Sequence, residues 1–220
     1  MKFCHALGCH DEAAGFSNLC VHHKQALRRH GDALQTTITV HELRPYVARV
    51  KARQAKNKGS ELWDILSARW EALVGHSRGI VERYASGAPG VRHERMAAQQ
   101  VTTLAGAVPA DKVVRTALAM YLLAQDRPTR FLSERGFRFE LVRRVRGLSD
   151  VNAGTYWDHK EGRSRRVYRD LPPRVVEVMG AWLAETFGGA GLVLASKERE
   201  EAQKARDEHQ RLAAALGGLQ

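Results

Sequence analysis

The chain of 220 residues holds three cysteines, Cys4, Cys9 and Cys20, and all three fall within its first twenty positions. His22 and His23 follow the third directly, so the donors run Cys, four residues, Cys, ten residues, Cys, two residues, His23. Two short pairs of donors separated by a loop suit a tetrahedral metal ion: each pair takes adjacent corners, and the loop returns the second pair to the same ion. An odd number of thiols and the lack of an apolar leader behind Met1 argue against a disulfide framework. The expected ligands are Cys4, Cys9, Cys20 and His23, and the expected cofactor is zinc. Thiol redox chemistry and inert packing are the competing readings. His22, His5 and His10 compete for the fourth corner, with His30 also nearby, but His23 alone keeps the usual two-residue gap. Three thiolates and one imidazole close the coordination sphere, which leaves no corner for a catalytic water and makes such a zinc structural. So short a segment holds no core of its own, so its folding and its metal binding are one event.

The stretch Cys4-His-Ala-Leu-Gly-Cys9, the turn from Gly15 to Leu19, Cys20-Val-His-His23 and Arg28-Arg29-His30-Gly31-Asp32 resembles a short zinc-binding module of phage and mobile-element proteins, often found beside HNH nucleases. In that module the third cysteine follows a Gly-Leu-type turn, and the last histidine opens a basic helix ending in Arg-x-Gly-Asp. Lys24 stands where the module commonly has an aromatic residue. The resemblance covers the N-terminal end alone; it implies a DNA-related context and no particular activity.

Charge points the same way. The chain carries 35 Lys and Arg against 24 Asp and Glu, a net +11 that favours a polyanionic partner. From Cys20 to Lys58 nine basic residues face two acidic ones, and from Arg127 to Arg174 thirteen face six, so each block carries +7. Two basic blocks on an otherwise near-neutral chain read as two contact surfaces for phosphates, and DNA is the expected partner. No run approaches the roughly eighteen uninterrupted apolar residues of a membrane span. The expectation is a cytoplasmic, nucleoid-associated protein with no membrane partner.

Apolar spacing predicts a mainly α fold. Leu43, Tyr46, Val47 and Val50 mark a helix over 40–56, and Ser60 caps a longer one carrying Leu62, Trp63, Leu66, Trp70, Leu73 and Val74. That stripe reads as core despite its two tryptophans. A weaker pattern spans 92–107. Pro109 opens a strongly apolar helix with Val113, Val114, Ala117, Leu118, Tyr121 and Leu122. Two short helices, 129–135 and 137–147, are expected on either side of Gly136. Thr155-Tyr156-Trp157-Asp158 and Arg165-Arg166-Val167-Tyr168, joined by a turn-like Lys160-Glu161-Gly162-Arg163, predict a β-hairpin. Pro172-Pro173 then starts another helix.

Helix, short helix, turn, helix, basic hairpin, helix is the order of a winged helix-turn-helix, in which the last short helix enters the major groove and the hairpin lies along the backbone. On that reading Arg138, Arg143, Arg144 and Arg146 belong to the recognition helix, with Phe139, Leu141, Val142 and Val145 seating it. Lys160, Arg163, Arg165 and Arg166 at the hairpin reach phosphates, as do Lys24, Arg28 and Arg29 beside the metal site. Gly188-Gly189-Ala190-Gly191 reads as flexible, followed by an apolar patch, Leu192, Val193 and Leu194, and a charged helix over 197–216. The patch and that helix are the expected surface for a protein partner or self-association. Four segments result: a zinc-bound module (1–35), a helical domain (36–108), a winged-helix-like domain with the hairpin (109–188), and a flexible stretch with a charged helix (189–220).

Enzyme readings lack their parts. The hairpin from Lys160 to Pro173, followed by an apolar helix, resembles the lysine-bearing hairpin of tyrosine recombinases, which implies a downstream His-x-x-Arg and a tyrosine nucleophile. His209 is the sole later histidine, and no tyrosine follows Tyr168. Asn18, Asn57 and Asn152 do not sit in an HNH pattern, and there is no Gly-x4-Gly-Lys-Ser/Thr phosphate loop. The sequence therefore points to a zinc-containing DNA-binding protein of a phage or mobile element, regulatory or accessory to recombination or transposition. A protein-docking subunit of a DNA- or RNA-processing complex, and a nuclease or recombinase-related enzyme with an unrecognised site, are the alternatives.

Overall fold

The computed structural model describes residues 2–217; the side chains of Asn152, Ala153, Arg166 and residues 215–217 lie outside the described set. The fold is mainly α: α1 (Val21–His30), α2 (Val40–Lys56), α3 (Glu61–Ala85), α4 (Arg92–Ala107), α5 (Ala110–Asp126), α6 (Glu134–Arg146), the hairpin strands β1 (Ala153–Asp158) and β2 (Arg163–Tyr168), and α7 (Pro173–Gly217). Local chemistry fixes most of these ends. Thr39 Oγ1 accepts from Glu42 N at 3.0 Å to start α2, and Ser60 Oγ accepts from Leu62 N at 3.4 Å to start α3. Pro109, which has no N–H to lose, caps α5.

One hydrophobic core runs from Ile38 to Ala195, across the expected boundary between residues 108 and 109. Its centre is α5, where Val113, Ala117, Ala119, Met120 and Leu123 are fully buried between α2, α3, α6 and α7. Trp70 is 1% exposed and stacks on Phe187 with ring centroids 6.4 Å apart, so the tryptophan stripe from Trp63 to Val74 is core, as expected, while Leu62 at its start is exposed.

Two expected breaks are not breaks. The two short helices around Gly136 are replaced by a single turn at Pro128–Arg130 and one continuous α6. Ser133 Oγ caps α6 by accepting from Gly136 N at 3.0 Å, which puts the glycine in the helix's first turn, where its missing side chain leaves room for Gln35. Gly188 to Gly191 lie inside α7 rather than in a flexible link. Gly191 packs against the Tyr121 ring so closely that a Cβ there would collide with it, and Gly188 sits over the same phenol. The aromatic ring takes the volume the glycines leave free, and this contact outweighs their poor helix propensity. The charged helix expected to start afresh at Ser196 is the outer part of α7. Leu194 is buried, while Leu192 and Val193 are exposed.

By length and composition α7 is apolar enough between Pro173 and Ala214 to cross a membrane. Its inner residues Val175, Met179, Leu183 and Phe187 are instead buried in the shared core. Beyond Glu201 every described side chain of α7 is exposed except Asp207, so the helix stands off the body there.

β1 and β2 pair antiparallel, Ala153 opposite Tyr168 through Asp158 opposite Arg163, with the turn closed at Gly162 in the left-handed region (φ 59°). No described side chain of either strand joins the core. Apart from Tyr168, half-buried against Arg143 and Arg146 of α6, the hairpin is largely an exposed arm.

Candidate metal centre and the basic face around it

Lys2 to Cys20 fold as a tight loop. Phe3 and Glu12 form a single antiparallel bridge, Cys4 N donates to Asp11 O at 2.9 Å, and Ala13 N donates to Lys2 O at 2.8 Å. Between them Cys9 N donates to Ala6 O at 3.0 Å, with Gly8 supplying the positive φ (75°) this turn requires. These bonds bring Cys4 and Cys9 together from the two ends of the turn. Cys20 is the N-cap of α1, and His23 lies in that helix's first turn, so the second pair shares one face at helical spacing.

The four ligand atoms all lie within 4.8 Å of one another. Cys20 Sγ is 3.2 Å and Cys4 Sγ 3.5 Å from His23 Nδ1, and Cys9 Sγ is 4.0 Å from Cys20 Sγ. Bond lengths of about 2.3 Å to sulfur and 2.0 Å to nitrogen around a tetrahedral ion give edges of about 3.8 Å between sulfurs and 3.5 Å between sulfur and nitrogen. The cluster is thus sized to hold a metal ion. Cys4 and Cys20 are buried, Cys9 is half-buried, and Ala6 and Leu19 complete a small core of their own.

The thiols are not equivalent. Burial pushes Cys4 up, but hydrogen bonding from the Cys20 and Ala6 backbone and from the other two thiols outweighs it and brings Cys4 down to about 7. At Cys9 a backbone bond at Asp11 lowers the pKa, and burial with Cys4, Cys20 and the Asp11 carboxylate raises it further, to about 11. Three sulfurs this close do not all ionise unless a cation neutralises them. His22, His5 and His10 are exposed and outside the cluster; the His22 ring stands edge-on to His23 at 5.3 Å.

His30 serves a different purpose. Its Nδ1 is 2.7 Å from Glu140 Oε1 on α6, and the other carboxylate oxygen accepts from Ile38 N, also at 2.7 Å. Gly31, which ends α1 with φ 78°, lies against the Phe139 ring, and its carbonyl accepts from Arg135 at 3.0 Å. Arg29 Nε pairs with Asp170 at 3.1 Å, and Arg143 reaches the other oxygen of that carboxylate at 2.9 Å. One acid therefore ties a cation from each basic block, and the two blocks meet at the connector between β2 and α7.

The predicted contacts divide sharply within this arrangement. Lys24 and Arg28 are exposed, with side chains that take no hydrogen bond or ion pair among the described residues, and Lys160 at the hairpin turn is the same. Arg163 pairs with Glu161 at 2.5 Å, and Arg165 with Asp158 at 2.8 Å and with Glu161. Arg166 has its backbone opposite Thr155, and its side chain is outside the described residues. The arginines of α6 do not form a groove-reading surface. Arg146 is 2% exposed and donates to Gln100, to Tyr168 Oη at 2.8 Å and to Arg169 O. Arg144 is half-buried, and that desolvation pushes its guanidinium pKa down. Arg143 lies over the Tyr168 ring at 5.0 Å, and Arg138 pairs with Glu134. α6 packs on α1, α5 and α7, so the face a recognition helix would offer is covered.

Sequence reasoning missed Glu140 and Asp170, which dock the metal module, and Arg92, Arg169 and Arg174, exposed cations near the connector. Tyr156 and Trp157 are also half-exposed, 49% and 53%, on opposite faces of β1. Comparison with protein-family models, with curated proteins and with solved structures finds no match.

Proposed function

We propose that the protein binds DNA through one composite face, built from α1 of a zinc module, the connector between β2 and α7, and the exposed basic hairpin. The observation that carries this reading is the sharing of Asp170 by Arg29 and Arg143, because it joins two basic blocks more than a hundred residues apart into one surface. Lys24, Arg28 and Lys160 keep their charges uncommitted there, and opposing charge on the phosphate backbone supplies most of the affinity of such a face. Tyr156 and Trp157 add ring faces that stack on bases where a strand is open.

Zinc is the ion proposed for the Cys4, Cys9, Cys20 and His23 cluster, since three thiolates and an imidazole at tetrahedral spacing are its characteristic donors. With four protein ligands it fixes α1 and performs no chemistry. The resemblance of the N-terminal module to those of phage and mobile-element proteins supports an accessory or regulatory role on DNA in the cytoplasm.

The test is fluorescence anisotropy of the zinc-loaded chain with a short labelled duplex across a salt series. Affinity should fall steeply with salt, with a log-log slope of about −0.9 for each phosphate engaged. A flat salt dependence, or no binding at low salt, would overturn the proposal.

A further inference from the structure

A recess lies away from the basic face, where the outer part of α7 passes the start of α3. It has a volume of about 460 Å³ and is open on one side. Leu62 and Ile65 of α3 and Val193 of α7 line it, each about half-exposed, and Arg69 and Lys197 stand among its lining residues. The start of α7 and Gly189 are sixteen positions apart, about 24 Å along a helix. The recess and the nucleic-acid face are therefore separate sites.

Two features of this recess are unexplained by packing. Gly189 is the first. Gly188 and Gly191 are required by the Tyr121 ring, but a Cβ on Gly189 would meet nothing within 4 Å. A helix-interior glycine that packing does not demand costs stability and leaves a gap, and here the gap is the recess. The second is charge. Arg53, on the same rim, is committed to Glu198 at 2.7 Å and Glu201 at 2.7 Å. Arg69 and Lys197 hold no hydrogen bond or ion pair among the described residues, and Glu201, a carboxylate that feels the charge of Lys197, is already held by Arg53.

We infer that this recess is a binding site for a small organic anion: an apolar chain or ring body against Leu62, Ile65 and Val193, and a carboxylate or sulfonate toward Arg69 and Lys197. Its size falls within the range of small-molecule sites, and its apolar walls with a few convergent donors are their usual construction. The site does not depend on the DNA-binding reading, and the experiment below does not involve DNA.

The probe is 1-anilinonaphthalene-8-sulfonate, an aromatic anion whose emission rises on desolvation, titrated into the full metal-loaded chain. Saturable one-to-one binding is expected, with displacement by decanoate and not by decyltrimethylammonium. Gly189→Leu should fill the recess and abolish binding while the melting temperature stays equal or rises. Arg69→Gln with Lys197→Gln should weaken binding by roughly tenfold through lost charge-assisted bonds. Unchanged probe binding in Gly189→Leu, non-saturable binding, or equal displacement by the cationic amphiphile would each overturn the inference. If Gly189→Leu does not fold, the surface variant of Arg69 and Lys197 decides: wild-type affinity there overturns it.

Discussion

Glu140 is the carboxylate most deeply placed in the fold, 0% exposed, and it joins the metal module to the helical body. It accepts from His30 Nδ1 and from Ile38 N, each at 2.7 Å, and Arg143 Nε lies 4.0 Å away. Replacing it with alanine leaves the Ile38 N–H in the core without an acceptor and the His30 ring without its partner. Breaking a buried charged arrangement of this kind costs about 3–5 kcal/mol, a large share of the roughly 5–15 kcal/mol by which domains are stable. Glu140→Gln keeps the shape and one acceptor and should cost about half as much, near 2 kcal/mol, the worth of the lost charge in its hydrogen bonds. His30→Ala removes one partner from the opposite side. Because the two residues touch, the double variant should be less damaging than the sum of the singles, with a coupling of about 1.5–2 kcal/mol. Urea unfolding followed by circular dichroism gives all four corners of the cycle. Limited proteolysis of His30→Ala should also cut between residues 31 and 37 before the body is attacked. A coupling below about 0.5 kcal/mol would show that His30 and Glu140 do not act together and would refute the docking argument.

Other consequences are equally direct. Chelation, or Cys20→Ser, should unfold the N-terminal module and weaken DNA binding while the α2 to α7 body keeps its helical signal, because the two have separate cores; unchanged circular dichroism and affinity after complete metal removal would contradict this. Glu42 is held below the usual carboxylate range, first by its hydrogen bonds with Arg130, at 2.7 and 3.2 Å, which outweigh the opposing effect of partial burial. A depressed folded pKa adds stability that is fully present above the unfolded value and is lost as pH falls through the folded one. Glu42→Gln should therefore cost about 1–2 kcal/mol at neutral pH, with the gap to wild type closing below about pH 4 in urea midpoints. Gly191→Ala, driven into the Tyr121 ring, should destabilise by about 1–3 kcal/mol in thermal melts. Gly189→Ala, facing open space, should stabilise by about 0.5–1 kcal/mol in the same melts.

The metal cluster was legible because its determinants are local. Spacing alone puts Cys20 and His23 on one helical turn and folds Cys4 toward Cys9, and no distant residue has to be known. Helix ends at Thr39, Ser60 and Pro109 were legible for the same reason. The run at Gly188 to Gly191 misleads because local propensity argues for a break, whereas the deciding partner, Tyr121, lies far away in the sequence. α6 misleads for a subtler reason. Four arginines in nine positions read as a DNA-contacting face, yet Arg146 follows Phe139 and Val142 at spacings of seven and four and so shares their buried stripe. That phase was a readable signal. The roles of Glu140 and Asp170 had none: His30 and Ile38 reach Glu140 from more than a hundred residues away, and nothing near Asp170 in the chain tells that Arg29, far upstream, pairs with it.

The central claim is that α1 and the hairpin form one DNA-binding face, and salt slopes on a single duplex test it. Relative to wild type, Lys24→Ala with Arg28→Ala should reduce the log-log slope by about 1.8, Lys160→Ala by about 0.9, and all three together by about 2.7, at one-to-one stoichiometry. Additive losses on the same short duplex are the result the composite face predicts. A slope unaffected by either set of substitutions would contradict it.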